Sequence, residues 1–137
     1  MFPTRISFDA GDLTGAVKFL GQSLWKDTAP IRLNLAGEPV YVRPGTPDIA
    51  VAKSCLTGEF DAAIEAARPL KYNFIVDAGG YIGTAALAFA KAFPEATIVS
   101  IEPSIDNFAV MNRNNRLNTS NLRRALAPRE IPKAPRS

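Results

Sequence analysis

FIVDAGGYIGTAALAFAKAFPEATIVSIEPS, from Phe74 to Ser104, decides how this chain folds. Its opening run, Phe74–Val76, and its closing run, Thr97–Ile101, are rich in β-branched and aromatic residues and read as strands. Between them lie a glycine turn and an alanine-rich helix, from about Gly83 to Phe93, which Pro94 ends. Strand, helix and strand on so short a connection predict a right-handed parallel crossover. Ser104 can cap a further helix, SIDNFAVMNRNNRL, with Ile105, Phe108 and Ala109 expected on its buried face. Phe89 and Phe93 are expected in the core.

Upstream, DLTGAVKFLGQSL sets Leu13, Val17, Leu20 and Leu24 on one helical face, although Gly15 and Gly21 weaken the helix. IRLNLAGEPVYV alternates Ile31, Leu33 and Leu35, turns, and continues through Val40 and Val42, the pattern of a β-hairpin with one buried face. In RPGTPDIAVAKSCL, Thr46 can cap a helix, Pro47 suits its first position and Asp48 favours its positive end. Gly58 interrupts before EFDAAIEAAR, which Pro69 stops. Downstream of Asn118 the apolar period fades into a basic, proline-rich tail that reads as irregular.

The turn after the first strand of the crossover can serve two cofactor classes. A dinucleotide turn, G-x-G-x-x-G, started at Gly79 would need glycine where Tyr81 and Thr84 stand. Started at Gly80, it would need glycine at Ile82 and Ala85, so an NAD-dependent oxidoreductase fails the register. What the chain carries is Asp77, Gly79, Gly80, Tyr81 and Gly83, an acid followed by glycines two and six residues later. This resembles the D/E-x-G-x-x-x-G turn of Rossmann-like S-adenosylmethionine-dependent methyltransferases, which holds the amino acid part of the cofactor. Glu102 ends the second strand about twenty residues past the turn, where such folds place an acid for the ribose hydroxyls. Asp106 is a weaker candidate for the same neighbourhood. The bland alternatives are a plain strand-to-helix turn, an Asp77 that satisfies helix-start N–H groups, and a solvated Glu102.

The resemblance extends further. PVYVRPGTPDIAVAKSCLTGEF, followed by the crossover with its I-E-P ending, is similar to the FkbM-type methyltransferase family over roughly residues 31–118. It implies S-adenosylmethionine as cofactor and methyl transfer to a hydroxyl oxygen of a sugar or natural product. It places Asp77, Gly79 and Gly83 on the cofactor turn and Glu102 on the ribose. Tyr81 departs from the small polar residue common there; its ring could pack along the cofactor, narrow the pocket or point into solvent.

The fold expected is therefore α/β, a partial Rossmann-like class I methyltransferase fold with a parallel βαβ core preceded by a helix and a hairpin. Residues 1–30 form an N-terminal helical extension, 31–118 an incomplete methyltransferase domain and 119–137 the tail. NLRRALAPRE offers at best a short, charged substitute for a third strand, and the residues that would contact adenine and acceptor have no counterparts. The expectation is a truncated member, with an inactive remnant or interaction module as the alternative. No residue stands out as a base for the acceptor's proton, and an open sheet edge would favour self-association.

Composition narrows the classes further. The chain has 137 residues, no histidine and one cysteine, Cys55, which excludes a histidine-based triad, a zinc cluster and an internal disulfide, and fits a reducing cytoplasm. From Arg113 onward there are seven basic residues and one acid, Glu130, so the net charge of +3 belongs to the tail. No aromatics interleave with these basic residues, which argues against nucleic acid. No apolar run is long enough to span a membrane, and the N-terminus lacks a signal-peptide pattern.

Overall fold

The hairpin forms as its alternation dictates: β1 (Ile31–Leu35) pairs antiparallel with β2 (Glu38–Val42), Leu33 opposite Val40. Ala36 and Gly37 join them at φ 52° and 78°, the left-handed pair that a two-residue hairpin turn requires. Leu33, Leu35, Val40 and Val42 are buried together. The computed structural model describes residues 13–24, 28–117 and 124–126, the last three by their strand pairing.

Before the hairpin, α1 (Leu13–Leu24) packs against β1, but not by the predicted stripe. Phe19 is buried at 4% exposure, while Leu13, Val17, Leu20 and Leu24 are 54–83% exposed. The helix has apolar residues on both sides. Its contact face is Gly15 and Phe19, one turn apart, the first small and the second an aromatic ring with more surface to bury.

α2 (Asp48–Leu56) and α3 (Asp61–Ala67) follow, separated at Gly58. The crossover is then β3 (Phe74–Ala78), α4 (Thr84–Ala92) and β4 (Thr97–Ile101), with β3 and β4 parallel and Phe74 in register with Thr97. α4 covers one sheet face, where Ala86, Ala90 and Ile98 are buried with Ile75, Phe89 and Phe93 packed on them. On the other face Phe74, Val76 and Ile101 are exposed. A second cluster joins Phe19 of α1, the hairpin, Ile49 and Ala52 of α2, Ile82, Leu87 and Val110. The hairpin thus shares its core with the elements around the glycine turn.

α5 (Ile105–Leu117) buries Val110, Met111 and Asn114, whereas Ile105 is 64% exposed and Ala109 is also exposed. The predicted face is rotated because α5 lies across both β2 and the turn, and Asn114 makes the joint. Its Oδ1 accepts from Tyr41 N at 2.5 Å, and its Nδ2 donates to the carbonyls of Tyr41 at 3.1 Å and Ile82 at 2.8 Å. Such a buried amide is tolerable only when its groups are paired in this way.

A third strand exists. β5 (Arg124–Leu126) pairs parallel with β4, giving the order β3-β4-β5 with β3 at the edge. The tail is therefore not irregular at these three residues; the rest of it, and residues 1–12, lie outside the described residues. Among the described residues no helix is long and apolar enough to cross a membrane, and no cluster could hold a metal ion.

Candidate cofactor site

Both strands of the crossover deliver their chemistry at their carboxyl ends, which is where open α/β sheets bind ligands. β3 leads into the glycine turn, and β4 ends at Ile101 with Glu102 next in the chain. The N–H groups of Gly79 and Gly80 both donate to the Ile101 carbonyl, at 2.8 and 3.0 Å, tying the start of the turn to the end of β4. Asp77, in register with Ser100, accepts from the Ser100 hydroxyl at 2.6 Å.

The three glycines are needed for different reasons. A Cβ on Gly83, at φ +85°, would lie 2.9 Å from Met111 Cγ and 3.1 Å from Asn115 Oδ1. A Cβ on Gly80 would lie 3.0 Å from both Met111 Sδ and Ser100 Cβ. These two let α5 and β4 close on the turn. Gly79, at φ +87°, has nothing within 4 Å of its missing Cβ. Only there does the backbone face open space that a ligand could fill.

That space belongs to a cavity of about 590 Å³ between α2, its junction with α3, and the turn. Asp77, Gly79, Gly80 and Tyr81 line it, so four of the six predicted residues meet in one place. Gly83 and Glu102 are not on its wall. The wall is completed by Glu59 and Phe60, which the sequence did not single out, and by Cys55 and Thr84, which it did not mark as site residues. Among the described residues, two carboxylates, Asp77 and Glu59, line this cavity, and no lysine or arginine does. Burial pushes the Cys55 thiol above its usual range, against the opposing pull of the Thr84 hydrogen bond.

Glu102 is not a solvated strand-end acid. It is 5% exposed; Oε2 accepts from Tyr81 N at 2.8 Å, and Oε1 from Ser104 N at 2.7 Å and Asn107 Nδ2 at 3.5 Å. A carboxylate offers about four acceptor positions, so little capacity remains for a ligand. Asp106 stands apart, lining a different cavity with Arg43, Thr46 and Arg113.

Tyr81 takes neither the solvent nor a random orientation. It is a non-glycine residue at φ 51°, its ring half-buried against the hairpin core, and its hydroxyl donates to Asp48 Oδ1 at 2.6 Å. Asp48 is fully buried and also accepts from Arg43 N and Nε on Oδ2 and from Arg43 Nη2 on Oδ1, each at 2.9 Å. Burial by itself would raise the Asp48 carboxyl, but the hydrogen bonds from Arg43 and Tyr81 outweigh it and hold the group below the usual carboxylate range. Burial, and then the Asp48 carboxylate, push the Tyr81 phenol up to about 12. The sequence suggests only a helix-dipole role for Asp48; its partners are Arg43, five positions before it, and Tyr81, 33 positions after it, and no local pattern signals the second.

No protein-family model and no curated protein matches this sequence. Solved structures do match in shape. A Pyrococcus horikoshii protein named as a transferase superposes with a TM-score of 0.52 at 18% identity, over 74% of this chain and 37% of its own. The Pyrococcus abyssi tRNA (uracil-54, C5)-methyltransferase, solved with S-adenosyl-L-homocysteine, superposes with a TM-score of 0.50 at 14% identity, over 73% of this chain and 23% of its own. The chain thus spans well under half of either structure. It has the mixed α/β, Rossmann-like fold shared by S-adenosylmethionine-dependent methyltransferases.

Proposed function

We propose that this chain carries the cofactor-binding part of an S-adenosylmethionine-dependent methyltransferase of FkbM type, acting on a hydroxyl oxygen of a sugar or natural product. The observation that supports the cofactor most directly is the charge of the turn cavity, with two carboxylates and no basic residue among the described residues of its wall. A dinucleotide would bring its pyrophosphate against Asp77 and Glu59, which repel it. A ligand bearing an ammonium and a sulfonium meets complementary charge there.

The residues present fit such a ligand. Gly79 leaves its backbone open to close approach, Asp77 and Glu59 offer acceptors for an ammonium, and Phe60 and Tyr81 supply aromatic wall. Glu102 holds the turn through Tyr81 N–H, and of its about four acceptor positions the one left beside Tyr81, Ser104 and Asn107 is what we assign to a ribose hydroxyl. When bound, S-adenosylmethionine supplies a methyl group already activated on sulfur, so the chain's contribution is chiefly to hold and orient.

Calorimetric titration with S-adenosylmethionine and, separately, with NAD tests the reading. Heat with the first alone is expected. Tight binding of NAD without S-adenosylmethionine would overturn it.

A further inference from the structure

Arg43, Asp48, Tyr81, Glu102 and Asn107 form a closed circuit of hydrogen bonds around the glycine turn. Arg43 Nη2, besides its bond to Asp48, donates to Asn107 Oδ1 at 2.8 Å. Asn107 Nδ2 reaches Glu102 Oε1, Glu102 Oε2 holds Tyr81 N, and the Tyr81 hydroxyl returns to Asp48. The Arg43 guanidinium also lies 5.7 Å from the centre of the Tyr81 ring.

Two features show that this circuit does more than fill space. First, Tyr81 occupies a left-handed backbone conformation that costs an L-residue on the order of 1 kcal/mol, so something must hold it there. Its two polar groups are the anchors, the N–H on Glu102 and the hydroxyl on Asp48. Second, Asp48 has four donors, three from Arg43 and one from Tyr81, which fills its acceptor capacity. The Arg43–Asp48 pair is thereby fixed as a rigid post at the start of α2, and the Tyr81 hydroxyl ties the turn's side of the cavity wall to it.

We infer that Asp48, oriented by Arg43, is a positioning residue for the cofactor site and acts through Tyr81. The R-P-G-T-P-D segment ahead of the crossover is in this way part of the binding machinery, though only Tyr81 of the circuit reaches the cavity. Tyr81 sets the width of the cavity with its ring and the orientation of Glu102 with its N–H. The inference rests on the cofactor reading above.

The test compares wild type, Tyr81→Phe, Asp48→Asn and the double variant by calorimetry with S-adenosylhomocysteine, alongside amide hydrogen exchange of the free proteins by NMR. Tyr81→Phe keeps the ring and loses only the hydroxyl. It is expected to weaken binding about fivefold and to speed exchange at residues 80–83, leaving the hairpin amides unchanged. The double variant is expected to bind no more weakly than the worse single one, because both act on one link. Wild-type affinity in Tyr81→Phe, or losses that multiply in the double variant, would overturn the inference. Exchange that accelerates uniformly over the chain would overturn it too, since a purely structural role does that. If wild type fails to bind the ligand, the cofactor reading falls, while exchange at residues 80–83 still decides whether Asp48 holds the turn. If Asp48→Asn does not fold, Tyr81→Phe alone decides.

Discussion

Gly83 and Met111 are in a contact that leaves no room for a methyl group: a Cβ on the glycine would lie 2.9 Å from the methionine Cγ. Gly79, four residues earlier, shares the left-handed φ but faces open space. Gly83→Ala is therefore expected to cost about 2–4 kcal/mol of stability, from overpacking added to backbone strain. Gly79→Ala is expected to cost about 1–2 kcal/mol, from strain alone, while losing most of the ligand affinity. Urea unfolding of both variants, paired with ligand titration, checks the contrast; equal stabilities would refute it.

Replacing Asn114 by alanine strands Tyr41 N–H and the Ile82 carbonyl in the core. A loss of about 2–4 kcal/mol is expected in denaturant unfolding. A change under 0.5 kcal/mol would mean that the amide does not join α5 to the hairpin.

On α1 the expected effects run against simple hydrophobicity. Val17→Lys and Leu20→Lys should each change stability by less than about 0.5 kcal/mol, because these side chains are 60% and 54% exposed. Phe19→Ala should cost about 3–5 kcal/mol. Thermal unfolding of the three variants separates the two faces of the helix.

Tyr81 makes stability depend on alkaline pH. Its folded value, about 12, lies above the ordinary value of 10.0, so its contribution is complete below pH 10 and is lost as pH rises from 10 to 12. Asp48 works in the opposite direction: its carboxyl is lowered from 3.8, so its contribution holds above that value and is lost in stronger acid. The gap in melting temperature between wild type and Tyr81→Phe should shrink across pH 10–12. A constant gap would show that the phenol's proton is not held by the fold.

Glu102→Gln keeps the shape of the side chain but turns one acceptor into a donor, facing either Tyr81 N–H or Ser104 N–H. Binding of S-adenosylhomocysteine should weaken about fivefold or more. Unchanged affinity would remove Glu102 from the ribose role.

Much of this architecture is legible in the sequence. The alternation of Leu33, Leu35, Val40 and Val42 allows only one face inward, and the hairpin obeys it. The acid and glycines of the turn carry their spacing in the sequence, and three of them, Asp77, Gly79 and Gly80, share a cavity wall with Tyr81. What stayed hidden depends on partners distant in the chain. Periodicity cannot rank two apolar faces of α1, because the choice between Phe19 and the leucine stripe is made by the hairpin. Asp48 reads locally as a helix-start acid, and only the folded chain brings Tyr81 to it. Nor does a motif reveal which glycine admits a neighbouring side chain and which admits a ligand.

The circuit around the turn also has a place in time. Its longest link, Arg43 to Asn107, joins residues 64 positions apart, and closing so long a loop is unfavourable until other contacts have drawn the ends together. The hairpin and the helices are built from contacts between near neighbours in the chain, whereas the circuit needs β4 paired and α5 docked. Its bonds are accordingly expected to form on the native side of the folding barrier. Weakening them should leave the rate of folding nearly unchanged and hasten unfolding, which makes the circuit a latch on the lifetime of the folded state.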